Sequence, residues 1–162
     1  MTDLTVLAQQ VGKELLKQGK LLAVAESCTG GWVAKVITDI AGSSQWFDRG
    51  FVTYRNQAKQ DMLGVPEAIL DNEGAVSEVT VSAMVQGALA NSQADVALAI
   101  SGIAGPGGER PGKPVGTVCF AWQTRGQEPR RQTCHFSGDR NSVRQQSVIQ
   151  ALKVLLDVLG SR

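Results

Sequence analysis

The stretch LLAVAESCTGGWVAKVITDI, residues 21–40, decides the fold class. It opens with LLAVAE, a short apolar run of the kind that becomes a buried strand. Residues 30–40 have the pattern of a helix that ends before Gly42. Between the two lies AESCTGG, residues 25–31, whose paired glycines indicate a tight turn. The stretch therefore predicts a strand, a turn and a helix, which is the repeating unit of an α/β sheet.

The rest of the chain alternates helices and strands in the same way. Apolar spacing predicts a first helix that ends at Gly19, and further helices at residues 56–63, from Ser77 onward and at 139–159. Further strands are predicted at residues 47–54, 95–102, 115–124 and 129–136. Because the last two strands read as a hairpin, we expect a three-layer α/β/α sandwich with a mixed, mostly parallel sheet of about five strands. Residues 1–162 are predicted to form a single domain.

Composition argues against several classes of partner. The net charge is +1 and the Lys and Arg residues are scattered, so no nucleic-acid-binding surface is predicted. No stretch resembles a signal peptide or approaches the roughly 20 apolar residues of a membrane span. We therefore expect a cytoplasmic protein without membrane contact. Small enzymes of this size are commonly symmetric, which makes a homodimer the expected assembly.

Neither a metal nor a cofactor is predicted. The three cysteines have unrelated spacings, and the single histidine, His135, lies in a predicted strand. Gly107, Gly112 and Lys113 match a GxxxxGK phosphate-binding pattern, but Pro114 takes the place of its Ser or Thr. A strand rather than a helix follows this segment, so the match is interpreted as a coincidence.

Two segments that follow predicted strands are candidate ligand-binding loops. One is the turn at residues 25–31, and the other is the Gly- and Pro-rich stretch SGIAGPGGERPGKPVG, residues 101–116. Ligands in open α/β sheets collect at the carboxyl ends of the strands, so we expect both segments to line one crevice. Arg140 and Arg144 lie four residues apart at the start of the last helix. They indicate an anion site, unless Asp139 neutralises them.

The residue patterns leave two nucleophiles open. Cys28 lies at the predicted start of a helix, which lowers the pKa of a thiol, although it can equally be a buried thiol in a tight bend. A serine hydroxyl activated by a lysine is the other choice, with Ser44, Tyr54 and Lys59 as the candidate set. Such a lysine must be neutral near pH 7, so its pKa must lie well below the usual value of about 10.4.

Four stretches together resemble the CinA C-terminal-domain family. They are AESCTGG at residues 25–31, GFVTYRNQAK at 50–59, SGIAGPGG with KPVGTV at 101–118, and FSGDRNSVR at the start of the last helix. The resemblance spans essentially the whole chain. It implies hydrolysis of the carboxamide of nicotinamide mononucleotide to nicotinic acid mononucleotide and ammonia, in pyridine nucleotide recycling and without a metal.

The resemblance also implies roles for individual residues. Ser44 is expected to be the nucleophile, with Tyr54 and Lys59 assisting proton transfer, so that Cys28 packs beneath the turn. Substrate-binding positions are expected at Ser27, Thr29, Gly30, Gly31, Ser101, Gly102 and one or both of Arg140 and Arg144. The substrate phosphate is expected on backbone amides of a Gly-rich turn or against the arginines. The alternative is a nucleotide-binding regulatory or interaction module that has this pocket without turnover.

Overall fold

The computed structural model describes residues 3–160 and contains one five-stranded sheet. Its strands are β1 (Leu22–Glu26), β2 (Phe47–Val52), β3 (Val96–Gly102), β4 (Thr117–Thr124) and β5 (Arg130–His135). Their order across the sheet is β2-β1-β3-β4-β5. β1 pairs in parallel with β2 and β3, whereas β4 pairs antiparallel with β3 and β5. Every strand except β4 therefore runs in one direction, which confirms a mixed, mostly parallel sheet.

Helices cover both faces of this sheet. They are α1 (Leu4–Gln18), α2 (Trp32–Thr38), α3 (Asn56–Leu63), α4 (Glu67–Glu73), α5 (Glu78–Ala90) and α6 (Arg140–Val158). The helices α1, α2 and α6 pack on one face, and α3, α4 and α5 pack on the other. The predicted three layers are thus confirmed. The helix α4, which begins directly after Pro66, was not predicted.

Within residues 3–160, no helix is both long enough and apolar enough to cross a lipid bilayer.

Successive residues of a strand point to opposite sides of the sheet. In this sheet the two faces carry side chains of different size. In β3, Leu98 and Ile100 face the layer of α1 and α6, whereas Ala97 and Ala99 face α5. Strands β1 and β4 repeat this division, with Leu22, Val24, Phe120 and Trp122 on one face and Ala23, Ala25 and Ala121 on the other. The alanines let α5 pack close to the sheet.

A second close approach, between α5 and α3, depends on Gly87. A Cβ atom at Gly87 would overlap the carbonyl oxygen of Leu63, the last residue of α3. Lys59 lies one turn earlier on the same helix, and its side chain is buried. The contact at Gly87 therefore sets the position of the helix that carries Lys59.

Strands β1, β2 and β3 are parallel, so their carboxyl ends lie at one edge of the sheet. Three segments leave the sheet there: the turn at residues 27–31, the segment 53–55 and the loop 103–116. As predicted, the turn and the loop share this edge, where ligands of α/β sheets collect.

Replacing Gly87 by alanine should destabilise the protein. The added methyl group has no space between α5 and α3, so we expect a loss of about 1–3 kcal/mol in the free energy of unfolding. Urea denaturation measures it. Gly107→Ala is the matched control, because a Cβ at Gly107 meets nothing within 4 Å. Equal stability of the two variants would show that α3 and α5 do not depend on this contact.

Candidate active site

Residues from the carboxyl ends of the parallel strands surround a cavity of about 140 Å³, here named the Ser27 cavity. Ser27 follows β1 and Tyr54 follows β2, while Ser101 belongs to the end of β3. Helices α3 and α6 add Lys59 and Arg140. The structure thus brings together six of the predicted site residues, Ser27, Tyr54, Lys59, Ser101, Gly102 and Arg140. Cys28, Ala75, Val76 and Ala104 complete the lining.

The amine of Lys59 forms a hydrogen bond with the hydroxyl of Ser27. The Nζ–Oγ distance is 3.1 Å, and Nζ also donates to the carbonyl oxygens of Thr53 at 2.9 Å and Tyr54 at 3.2 Å. When Lys59 is protonated, the Ser27 hydroxyl can donate to the Tyr54 carbonyl oxygen, 3.5 Å away. When Lys59 is neutral, its lone pair can accept the Ser27 proton instead.

Burial makes the neutral form of Lys59 accessible. The side chain is 1% exposed, and its removal from water lowers the pKa of the amine to about 8. Among residues 3–160 no carboxylate lies within 4.0 Å of Nζ to stabilise the charge. Lys59 is therefore suited to accept a proton from Ser27 near neutral pH.

Arg140 connects three parts of the cavity wall. Its guanidinium donates to the phenol oxygen of Tyr54 at 3.0 Å and to the carbonyl oxygen of Gly105 at 2.7 Å. The neighbouring Asp139 does not pair with it, because the Asp139 carboxylate caps α6 by accepting from the Ser142 amide at 2.8 Å. Arg140 therefore joins α6 to the segment after β2 and to the loop after β3.

Cys28 lines the Ser27 cavity but is not prepared to act as a thiolate. The side chain is 5% exposed, and burial raises its pKa to about 12, although the nearby Arg144 acts in the opposite direction. A thiol in this state is protonated throughout the physiological range. Of the two nucleophiles left open by the sequence, the structure favours a serine.

The remaining residues of the predicted turn lie apart from the Ser27 cavity. Thr29, Gly30, Gly31 and Arg144 line a separate surface depression, together with Trp32 and Lys35. Arg144 donates to the carbonyl oxygens of Cys28 at 3.0 Å and Thr29 at 3.2 Å, and its guanidinium carbon lies 5.6 Å from the centre of the Trp32 ring. These contacts connect the turn to α6 and to the first residue of α2.

The structure does not bring Ser44 to Tyr54 and Lys59. Ser44 is exposed in a single 3₁₀ turn, Ser43–Gln45, which precedes β2, whereas Tyr54 and Lys59 follow β2. The six residues of β2 separate the two ends by roughly 20 Å at about 3.3 Å per residue. The predicted pairing of Ser44 with Lys59 is therefore corrected: the hydroxyl beside the lysine is that of Ser27, which the sequence suggested only for substrate binding.

A fully buried carboxylate holds the Ser27 turn. Glu26 accepts hydrogen bonds from the hydroxyl of Thr29 at 2.6 Å and from the amides of Val33 at 2.9 Å and Ala34 at 3.0 Å. The two amides belong to the first turn of α2, so the charge also complements the helix dipole. Glu26 directly precedes Ser27, and sequence analysis missed its role. An acidic residue that ends an apolar strand before a turn is the signal that could have indicated it.

Neutralising Glu26 should loosen this turn. In Glu26→Gln one of the two carboxylate oxygens becomes an amide nitrogen, which faces an N–H donor, so we expect a loss of about 1.5–3 kcal/mol in the free energy of unfolding. Asp39→Asn is the matched control, because it neutralises an exposed carboxylate that pairs with Lys35 on the surface. Thermal melts of both variants measure the effect. Equal melting temperatures would contradict a structural role for the Glu26 charge.

Comparison with known proteins identifies the family of this chain. The chain matches the CinA C-terminal domain over residues 4–159. It is 58% identical to the nicotinamide-nucleotide amidohydrolase PncC of Escherichia coli K12, covering 96% of this chain and 95% of that protein. It is 49% identical to the protein of the same name from Pseudomonas putida, covering 98% of each chain.

A solved structure agrees with the fold. The competence/damage inducible protein CihA of Agrobacterium tumefaciens has a TM-score of 0.94 and 42% identity, over 99% of this chain and 98% of that one. This chain belongs to the CinA C-terminal domain family.

Proposed function

We propose that the protein hydrolyses the carboxamide of nicotinamide mononucleotide and releases nicotinic acid mononucleotide and ammonia. The observation that carries the proposal is the 3.1 Å contact between Lys59 Nζ and Ser27 Oγ at the carboxyl edge of the sheet. A buried lysine beside a serine is a known variant of the nucleophile–base arrangement. The names of the Escherichia coli and Pseudomonas putida relatives support a nicotinamide nucleotide as the substrate.

The first half of the reaction forms an ester. Neutral Lys59 accepts the proton of the Ser27 hydroxyl while the Ser27 oxygen attacks the carboxamide carbon. The carbonyl oxygen takes the negative charge of the resulting tetrahedral intermediate. Lys59 then gives its proton to the amide nitrogen, the C–N bond breaks, and ammonia leaves. The nicotinoyl carbon is now bonded to Ser27.

The second half returns the free enzyme. A water molecule gives a proton to Lys59 as its oxygen attacks the ester carbon. The bond between that carbon and the Ser27 oxygen breaks, and Lys59 returns the proton to Ser27. The product is the nucleotide carboxylic acid. Lys59 thus serves as base and acid in each half of the cycle.

The other cavity residues fit the same substrate. A cavity of about 140 Å³ matches a single six-membered aromatic ring, since cavities of about 150 Å³ hold benzene. The Tyr54 oxygen accepts from Arg140, so the Tyr54 O–H is left to donate to the substrate. Ser101 offers a second hydroxyl from the end of β3. We assign both to substrate binding, with Arg140 holding Tyr54 in place.

The wider setting of the reaction is part of the proposal. The product acid is itself a pyridine nucleotide, so we place the reaction in pyridine nucleotide recycling. A homodimer, a cytoplasmic location and a single domain over residues 1–162 stay predictions.

Substitution of Ser27 should abolish turnover. Ser27→Ala removes the attacking oxygen, so we expect ammonia release from nicotinamide mononucleotide to fall by at least about 10³-fold. A coupled assay for ammonia measures the rate. Ser44→Ala and Cys28→Ser are the controls, and both should keep most of the wild-type activity. Loss of activity in folded Ser44→Ala with full activity in Ser27→Ala would return the nucleophile to Ser44. No release by the wild type would favour the non-catalytic nucleotide-binding module.

The pH dependence should report the ionisation of Lys59. The pKa of this amine is about 8, and its neutral form is the active one, so kcat/KM should rise with pH up to about 8 and level off above it. Below the pKa the protonated fraction grows, and the rate should fall about tenfold for each pH unit. Lys59→Arg should lose activity at every pH, because an arginine does not deprotonate in this range. A rate that is independent of pH between 6 and 9 would exclude Lys59 as the base.

A further inference from the structure

A larger cavity of about 660 Å³, here named the side cavity, adjoins the Ser27 cavity. Three chain segments contribute to the walls of both. Ala75 and Val76 line both cavities, Asn56 of the side cavity lies two residues from Tyr54, and Ile103 lies between Gly102 and Ala104 of the Ser27 cavity. The two cavities are therefore neighbours that share a wall, and a ligand larger than one ring can occupy both.

The size of the proposed substrate requires a second compartment. A volume of about 140 Å³ matches the aromatic ring alone, so the attached ribose and phosphate must extend beyond the Ser27 cavity. The volume of the side cavity lies within the range of about 300–1,000 Å³ that is usual for small-molecule sites. With the ring held against Ser27, the rest of the nucleotide has space across the shared wall.

The lining of the side cavity suits a sugar phosphate. Leu70, Val76 and Ile103 supply apolar surface. Asp71 and Glu73 can accept hydrogen bonds from ribose hydroxyls, and Asn56 can donate or accept. Arg110 and Lys113 line the same cavity and supply positive charge for the phosphate dianion. Acceptors for hydroxyls and donors for an anion are thus present in one compartment.

The two cations are held near the cavity without being neutralised. Lys113 Nζ donates to the carbonyl oxygen of Glu73 at 2.9 Å, which fixes the amine across the gap between the loop 103–116 and α4. Arg110 donates to the carbonyl oxygens of Gly108 and Glu109 in its own loop. Within residues 3–160, no carboxylate lies within 4.0 Å of either cation.

The arginines of α6 are less suited to the phosphate. Neither Arg140 nor Arg144 lines the side cavity, and Arg140 holds the Tyr54 phenol at the Ser27 cavity. Arg144 lines a depression that is separate from the Ser27 cavity. This leaves Arg110 and Lys113 as the cations that line the side cavity.

We propose that the side cavity binds the ribose 5′-phosphate portion of the nucleotide, with Lys113 and Arg110 as the phosphate-binding residues. This inference rests on the proposed function of the Ser27 cavity. It gives the loop 103–116 a role in substrate recognition through charge, and it makes the phosphate a determinant of KM rather than of kcat.

Steady-state kinetics with two substrates test the assignment. For the double variant Arg110→Ala, Lys113→Ala we expect KM for nicotinamide mononucleotide to rise by about tenfold or more, the usual effect of losing charge-assisted hydrogen bonds, with kcat little changed. The same variant should act on nicotinamide riboside, which lacks the phosphate, as the wild type does. Lys153→Ala is the control, because Lys153 is exposed on α6 and lines neither cavity. An unchanged KM, or an equal rise for both substrates, would overturn the inference.

Direct binding separates this inference from the proposed function. Calorimetric titration with ribose 5-phosphate should show binding to the wild type and at least about tenfold weaker binding to the double variant. Free ribose, which lacks the phosphate, should bind the two proteins alike. Absence of ammonia release by the wild type would refute the amidohydrolase function while the titration still decides the cavity. Equal affinity of both proteins for ribose 5-phosphate, or no binding to the wild type, would refute the phosphate site.

Discussion

The buried carboxylate of Glu26 is the constraint on which the site depends. Its side chain accepts three hydrogen bonds from the turn and the first residues of α2, and its backbone carbonyl accepts from the Thr53 amide at 2.8 Å. The Thr53 carbonyl in turn accepts from the amine of Lys59. Glu26, at the end of β1, therefore fixes the position of Ser27, which follows it. It also fixes the Thr53 backbone, which accepts a hydrogen bond from Lys59.

The site shows how a lysine can be held close to its neutral form. Carbonyl oxygens of Thr53 and Tyr54 accept from Nζ and give it direction, while the absence of a carboxylate within 4.0 Å among residues 3–160 leaves the charge poorly stabilised. An ion pair at this point would raise the pKa and keep the amine protonated near neutral pH. Burial without a counter-charge lowers the pKa of Lys59, and the two carbonyl oxygens fix the position of its amine. The carboxylate of the nearby Glu26 instead accepts hydrogen bonds from amides of α2.

Most of the fold could be predicted from the sequence, because strands such as LLAVAE and VALAIS and the glycine-rich turns have local signals. The partner of Lys59 could not, since both the short distance in sequence and the family resemblance pointed to Ser44, whereas Ser27 lies 32 residues away. Only the parallel pairing of β1 with β2 brings Ser27 to the lysine. The helix α4 was missed because Pro66 was interpreted only as the end of the preceding helix. In the structure Pro66 also directly precedes the start of α4.

The alanine-lined face of the sheet restricts how enzymes of this fold can diversify. A larger side chain at Ala97 or Ala99 would displace α5, and with it the contact at Gly87 that sets α3 and its lysine. Single substitutions in the layer between the sheet and α5 are therefore expected to disturb the site. Adaptation to new substrates is expected to arise in the exposed residues 71–73 and 106–112, which lie outside the pair formed by Ser27 and Lys59.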